Sequence, residues 1–90
     1  MVKIIYYATL RNSLGLKEEI IDFAGPVSKL LDILLSKYGD KLREKLFNDN
    51  ALISNVIILK NGINIKFIAG LNTEISNEDE LDIFPPVAGG

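Results

Sequence analysis

Apolar residues along this chain recur with two spacings, and each spacing predicts a different kind of element. Residues 2–10 are apolar at nearly every position, which predicts a first strand with two apolar faces. Residues 18–23 alternate between apolar and polar and are predicted to return as a second strand after a turn at Gly15. One face of the first strand is predicted to carry Ile4, Tyr6, Ala8 and Leu10.

The stretch that follows Gly25 has the periodicity of a helix instead. Pro26 is suited to a helix start and Gly39 to a helix end. A short second helix over residues 40–47 is predicted to place Leu42 and Leu46 inward. Because apolar stripes at this spacing usually pack against a sheet, the main helix is predicted to cover one. The stripe consists of Val27, Leu30, Leu31, Leu34, Leu35 and Tyr38.

The remaining strands complete a mixed sheet. Residues 56–60 and 63–67 flank Asn61 and Gly62, a pair that favours the two positive φ angles of a type I′ hairpin turn. A last strand is predicted over residues 81–84. The order strand, strand, helix, short helix, strand, strand, strand indicates an α+β fold, a mixed sheet of about five strands with one main helix on one face. Residues 1–90 are expected to form a single domain.

Composition narrows the possible functions. Of 90 residues, 48% are hydrophobic and 24% charged, which is typical of a folded globular protein. The chain has neither cysteine nor histidine, so it lacks the usual nucleophile, neutral-pH base and zinc ligand. We therefore expect no catalysis by this chain alone, no metal site and no cofactor-binding site. Short apolar runs and the lack of a signal-peptide pattern lead us to expect no membrane association and a cytoplasmic location.

Charge is distributed unevenly along the chain. Residues 1–45 carry a net charge of +2 and residues 46–90 a net charge of −4. The acidic end predicts a partner with a basic rim, although a solvated turn and strand edge would explain the same residues. No basic stripe with interleaved aromatic residues is present, so nucleic acid is not an expected partner. The acidic residues of this end are Glu74, Glu78, Asp79, Glu80 and Asp82.

Residues 85–90 have the composition of a projecting tail. Pro85 and Pro86 lack backbone donors and should end the last strand. Gly89 and Gly90 have no Cβ, so they can enter a channel too narrow for side chains and present the carboxylate of Gly90. A frayed terminus is the alternative, but frayed tails tend to be polar and this one is apolar or small throughout.

The residues DELDIFPPVAGG that close the chain resemble the end of the MoaD family, the ubiquitin-like small subunits of molybdopterin synthase. The resemblance extends to the opening KIIYYATLRNSLG, to the position of the helix, and to Gly70, Leu71 and Thr73. It implies a β-grasp fold with an extended tail over residues 85–90. Glu78 is a departure, since family members often have glycine there, and we expect Asn77 to take the left-handed position of that turn instead.

The resemblance also implies a function and partners. Gly90, preceded by Gly89, would be adenylated by a ubiquitin-activating-like adenylyltransferase that uses ATP, then converted to a thiocarboxylate. The large subunit of molybdopterin synthase would accept its sulfur for a pterin precursor and supply the catalytic groups. Partner contacts are expected from exposed aromatic residues and from the tail, although the aromatic residues are also compatible with packing on a second sheet face. These residues are Tyr7, Phe84, Pro85, Pro86, Val87 and Ala88.

Other functions begin with the same tail. A ubiquitin-like modifier would form an isopeptide bond between Gly90 and a lysine, starting from the same adenylate. Sulfur transfer for tRNA thiolation or thiamine synthesis is a function closely related to the molybdopterin pathway. A plain interaction domain with an incidental Gly-Gly end is a further alternative. The complete Phe-Pro-Pro-Val-Ala-Gly-Gly ending favours the molybdopterin pathway among them.

Overall fold

The computed structural model describes residues 1–86, and the tail residues Val87, Ala88, Gly89 and Gly90 lie outside the described part. Three α-helices, two 3₁₀ turns and a set of short strands follow one another along it. In chain order they are β1 Val2–Tyr6, α1 Ala8–Leu14, β2 Glu18–Ile21, β3 Gly25–Pro26, α2 Val27–Tyr38, α3 Asp40–Leu46, β4 Phe47–Asn48, β5 Ala51–Leu52, β6 Ile57–Lys60, β7 Ile63–Asn64, the 3₁₀ turns Ile65–Phe67 and Gly70–Asn72, β8 Glu74–Ile75 and β9 Glu80–Phe84.

Five of the strands form one mixed sheet in the order β2-β1-β9-β6-β7. The two ends of the chain meet at its centre, where β1 and β9 run parallel with Ile4 beside Leu81 and Tyr6 beside Ile83. The other neighbouring strands are antiparallel. Two additional pairs, β3 with β8 and β4 with β5, lie apart from this sheet. The prediction of a mixed sheet of about five strands is confirmed.

The core lies between α2 and one face of the sheet. The predicted helix stripe faces inward, since its first four residues are buried and Leu35 and Tyr38 are half-buried. Helix α3 buries Leu42 and Leu46, as predicted. Removing these side chains from water supplies the main driving force for folding. With one main helix across a mixed sheet whose central strands are parallel, the chain has the predicted β-grasp architecture. The sheet contributes Val2, Ile4, Tyr6, Ile58, Leu81 and Ile83 to this core.

The first strand is shorter than predicted, which corrects the expectation that residues 2–10 form one strand. It ends at Tyr6, and α1 follows after Ala8 turns the chain with a φ of 54°. Ala8 is exposed, whereas Leu10 is still buried because one helical turn carries it back to the core. An apolar run of this kind does not separate strand from helix by itself.

The other boundaries also differ slightly from the sequence pattern. β2 ends at Ile21 rather than at residue 23, because the chain leaves the sheet before Gly25 and Pro26 pair with β8. β7 ends at Asn64, where a 3₁₀ turn begins. The Asn61–Gly62 turn is confirmed, with φ angles of 49° and 86°.

Glu19 of β2 links the end of α2 to the sheet through hydrogen bonds. Its carboxylate accepts hydrogen bonds from the Tyr6 hydroxyl at 2.7 Å, from the Tyr38 hydroxyl and from the Lys37 ammonium. Burial works against the charged form of Glu19, but these three donors outweigh burial and hold its pKa below the usual value. The interaction joins β1, β2 and α2 at one point.

The turn before β9 corrects a second expectation. Asp79 donates its N–H to the Ser76 carbonyl at 3.1 Å, so residues 76–79 form a β-turn. Its third residue, Glu78, has a φ of 73°, in the positive range that a type II turn requires at this position. Asn77 is the second residue and does not take the left-handed conformation. Turn position therefore outweighs the greater tolerance of asparagine for positive φ.

We predict that Glu78→Gly stabilises the protein by about 0.5–1 kcal/mol. Glycine removes the left-handed strain, and the larger entropy of glycine in the unfolded chain offsets only part of the gain. Urea denaturation would measure the change. Asn77→Gly is the matched control and should give no gain, because Asn77 lies at a turn position that does not require positive φ. Stabilisation by Asn77→Gly but not by Glu78→Gly would contradict this assignment.

Candidate functional site

The sheet face opposite α2 carries apolar and acidic side chains from its central strands. We call it the outer face. Strand alternation places these residues there because their neighbours in sequence, such as Ile4, Leu81 and Ile83, point into the core. Tyr7 continues the ladder one residue past β1, since its N–H donates to the Ile83 carbonyl at 3.2 Å. The outer face consists of Lys3, Ile5, Tyr7, Ile57, Leu59, Glu80, Asp82 and Phe84.

An aromatic pair lies at the end of β9. The rings of Tyr7 and Phe84 stack with centroids 4.1 Å apart and planes 11° from parallel. The Arg11 guanidinium lies 5.7 Å from the centroid of the Tyr7 ring, and its Nε donates to the Tyr6 carbonyl at 3.2 Å. We call Tyr7, Phe84 and Arg11 the aromatic platform. All three side chains are half-buried, so part of the platform faces solvent.

The tail leaves the sheet beside the aromatic platform. The last residue pair between β9 and β6 is Phe84 with Ile57. Pro85, which follows directly, is buried and Pro86 is half-buried. Proline has no N–H to donate, so the ladder ends here. The structure thus brings the predicted residues Tyr7 and Phe84 into contact at one corner of the outer face. Pro85 and Pro86 follow directly in the chain, and the other predicted tail residues lie outside the described range.

Asp82 occupies the centre of the outer face. Its Cα is paired with Ile5 on one side and Leu59 on the other. The residue is only 9% exposed, and within residues 1–86 its buried Oδ1 has no hydrogen-bond partner. A buried acceptor without a donor costs free energy, and an unpaired charge costs more.

The surroundings of Asp82 disfavour its charged form. Burial raises the pKa of Asp82 to about 6. The nearby charge of Glu80 and a side-chain hydrogen bond between the two carboxyl groups add to the effect, while Lys3 opposes it weakly. Burial, and then the charges of Asp82 and Glu80, also raise the pKa of Tyr7. The outer face is therefore an apolar surface with a negative centre.

Across residues 1–86, no three side chains among His, Cys, Asp and Glu are grouped closely enough to hold a metal ion. Over the same residues, no helix has the length and apolar character needed to cross a membrane.

The sequence analysis did not identify Arg11 as a site residue, and it included Asp82 only among five acidic residues expected to face a basic partner. Arg11 reaches Tyr7 only because the chain bends at Ala8 into α1, and that bend was not predicted. Asp82 had a usable signal, since it lies two residues before Phe84 and so shares its face. Its burial depends on β9 being a central strand, which a sequence pattern alone does not reveal.

Comparisons with known proteins found a protein family and a relative that match most of this chain. A model of the ThiS family matches residues 4–90. Small archaeal modifier protein 3 of Haloferax volcanii is 33% identical over 87 residues, which cover 94% of each chain.

Solved structures of other proteins share the fold of this chain over nearly its whole length. The solution structure of small archaeal modifier protein 1 from Methanosarcina acetivorans has a TM-score of 0.84 and 32% identity, and the match covers 99% of this chain and 95% of that one. A chain in the crystal structure of the Amycolatopsis orientalis BexX/CysO complex has a TM-score of 0.81 and 25% identity, with both chains covered completely.

We predict that Asp82→Asn stabilises the folded protein at pH 7–8 by about 1–3 kcal/mol, because the folded state raises the pKa of Asp82 to about 6. Ionisation then opposes folding fully above about pH 6 and not at all below the unfolded pKa of about 4. The gain should therefore vanish as the pH falls from 6 to 4. Urea denaturation across this range would measure it.

Asp79→Asn is the control, for which we expect a change in stability of the opposite sign. The Ser76 N–H and the Asn61 amide hold the pKa of Asp79 below its usual value, so its charge favours folding above the unfolded pKa. Asp79→Asn should therefore destabilise the protein at pH 7. A loss of stability in both variants would contradict the assigned environment of Asp82.

Proposed function

Because this chain belongs to the ThiS family of ubiquitin-like sulfur carriers and modifiers, we propose that it carries sulfur as a thiocarboxylate on Gly90. The observation that supports this best is the position of the tail. Pro85 and Pro86 follow the central strand of the sheet directly and begin beside a half-exposed aromatic platform. A partner that binds the platform would hold the root of the tail at a fixed place.

The proposed chemistry begins with activation of the Gly90 carboxylate. A carboxylate is a poor electrophile, so one of its oxygens attacks the α-phosphorus of ATP on an adenylyltransferase and releases pyrophosphate. A hydrosulfide donor then attacks the acyl carbon and displaces AMP. The product is a thiocarboxylate, in which sulfur replaces one carboxylate oxygen.

Delivery of the sulfur needs no base from this chain. The thiocarboxylate is ionised at neutral pH and its sulfur is a soft nucleophile. The sulfur attacks an electrophilic carbon of the acceptor and displaces a leaving group, which departs with its electron pair. The acyl thioester that forms is then cleaved by water at its acyl–sulfur bond. Sulfur stays on the acceptor and Gly90 regains its carboxylate. The contribution of this chain is to place one atom accurately in a partner's active site.

For the acceptor, we propose the pterin precursor of molybdopterin, bound to the large subunit of molybdopterin synthase. The Phe-Pro-Pro-Val-Ala-Gly-Gly ending supports this choice. Supply of sulfur for tRNA thiolation or thiamine synthesis would use the same activated Gly90 with a different acceptor.

A second candidate function is protein modification through an isopeptide bond from Gly90 to a lysine. Similarity to two proteins named as small archaeal modifiers favours it. The two functions share the adenylate and differ in the nucleophile that follows, which is sulfur in one case and a lysine amine in the other.

An intact-mass measurement of the protein purified from its own cells tests the proposed function. We expect the mass change for replacement of one oxygen by one sulfur, located in the peptide that contains Gly90. Deleting Gly90 should abolish this change and leave the thermal unfolding midpoint unaltered, because the core is formed by other residues. An unmodified terminus after incubation with ATP, hydrosulfide and the cognate adenylyltransferase would contradict the proposal.

The same samples distinguish the second candidate. The last basic residue is Lys66, so trypsin would leave residues 67–90 on a modified lysine, and cleavage at Glu80 would leave residues 81–90. Branched peptides of this kind, without the sulfur mass change, would favour protein modification.

We also predict that Phe84→Ala weakens binding to the cognate adenylyltransferase by about tenfold or more while the protein stays folded. Phe84 stacks on Tyr7 outside the core, and truncating an aromatic side chain on which binding depends typically costs about 1–2 kcal/mol. Isothermal titration calorimetry would measure the affinity.

Phe67→Ala is the matched control for this measurement. Phe67 is 84% exposed and follows β7, two strands away from β9 in the sheet. It should bind like the wild type. Equal affinities for Phe84→Ala and the wild type would contradict a docking role for the aromatic platform.

A further inference from the structure

We propose that Asp82 and Glu80 together receive an arginine side chain from the partner that docks on the outer face. This inference rests on the proposed function, since the partner is the adenylyltransferase that activates the tail. A pair of carboxyl groups at the centre of the outer face places a requirement on the partner's surface that apolar contacts alone would not. The partner must place a guanidinium group, surrounded by apolar side chains, opposite the centre of β9.

The position of Asp82 is the first argument. β9 is the middle strand of the five-stranded sheet, and Asp82 is the middle residue of β9. Its cross-strand neighbours Ile5 and Leu59 are apolar and half-buried, and Phe84 lies two residues further along the same face. A partner that covers the aromatic platform and these two residues also covers Asp82.

The lack of a cation beside Asp82 is the second argument. From β1, Lys3 lies across from Glu80, but its ammonium pairs with Glu18 of β2 at 3.4 Å. Arg11 of α1 lies over the Tyr7 ring and donates its Nε to a backbone carbonyl. Among the described residues, neither forms an ion pair with Asp82 within 4 Å.

The remaining neighbours of Asp82 supply no positive charge either. Glu80 of β9 is itself acidic, and the hydroxyl of Tyr7, one residue past β1, is uncharged at neutral pH. β6 contributes Ile57 and Leu59 to this face, which do not ionise. Within the described chain, the centre of the outer face is therefore negative, opposed only weakly by Lys3 and by no ion pair with Asp82.

Docking of a partner would make the unpaired charge of Asp82 much less favourable unless that charge is neutralised in the complex. An apolar partner surface would remove the remaining water from Asp82 and leave an unpaired charge in an apolar contact, which is strongly unfavourable. The partner must then either supply a cation or force Asp82 to take up a proton. These two outcomes differ in the direction of proton movement on binding.

An arginine fits the two carboxyl groups better than a lysine does. Glu80 and Asp82 project from the same face of one strand, with Cα atoms about 6–7 Å apart. The planar guanidinium has five donors in a fork and can reach both carboxylates at once. It is also less strongly hydrated than an ammonium, so it enters an apolar contact at lower cost.

Calorimetric titration of the full chain with its cognate adenylyltransferase tests this proposal. Asp82→Asn keeps the size of the side chain and should weaken binding by about tenfold or more at pH 7.5. Glu74→Gln changes the net charge equally but lies in β8, outside the sheet that forms the outer face, so it should bind like the wild type. Equal or tighter binding by Asp82→Asn and by Asp82→Ala would overturn the proposal.

Proton movement gives an independent result. Titrations near pH 6 in buffers of different ionisation enthalpy measure the protons exchanged on binding. An arginine that pairs with Asp82 lowers its pKa, so the wild type should release protons and Asp82→Asn should release fewer. Proton uptake by the wild type would mean that an apolar partner surface protonates Asp82, and it would overturn the proposal.

ATP–pyrophosphate exchange separates this inference from the proposed function. If both hold, the adenylyltransferase should show a raised KM for Asp82→Asn and a kcat close to that for the wild type. An unchanged KM with normal exchange would overturn the role of Asp82 and leave the proposed function intact. A wild-type chain that neither binds nor supports exchange would overturn both.

Discussion

The parallel pairing of β1 with β9 is the interaction on which the rest of the structure depends. It joins the beginning of the chain to its last strand and so places β9 at the centre of the sheet. Because side chains alternate along a strand, the pairing sends Leu81 and Ile83 into the core and turns Asp82 and Phe84 outward. One pairing therefore determines what stabilises the protein and what it presents to a partner.

Among the described residues, neighbouring strands hold β9 in place. The strand before the tail is held on both sides, by β1 and by β6, and it ends at two prolines. Changes in residues that follow Pro86 should thus affect reactivity far more than folding. Asp82 does not stabilise β9 in this way, because its buried carboxyl opposes folding at neutral pH while it occupies the centre of the outer face. Violations of burial rules of this kind are concentrated at functional sites in proteins.

Much of the fold could be predicted because strong local signals agreed with tertiary structure. The stripe of α2, the helix end at Gly39 and the Asn61–Gly62 turn each reflect backbone or packing preferences that act within a few residues. The bend at Ala8 and the positive φ of Glu78 could not be predicted in the same way. Both residues have poor intrinsic preference for their conformations and take them because distant pairings fix the chain on either side. For the candidate site, the phase of β9 placed Phe84 outward, but the burial of Asp82 required knowledge of both neighbouring strands.

We propose that the outer face and the tail act together, so that the face binds a partner while the tail enters the partner's active site. NMR titration of the isotopically labelled chain with its cognate adenylyltransferase tests this most directly. We expect the amide signals of Ile5, Tyr7, Asp82 and Phe84 to change together with those of Gly89 and Gly90. Changes confined to the exposed side of α2, or changes on the outer face without any at Gly89 and Gly90, would contradict it.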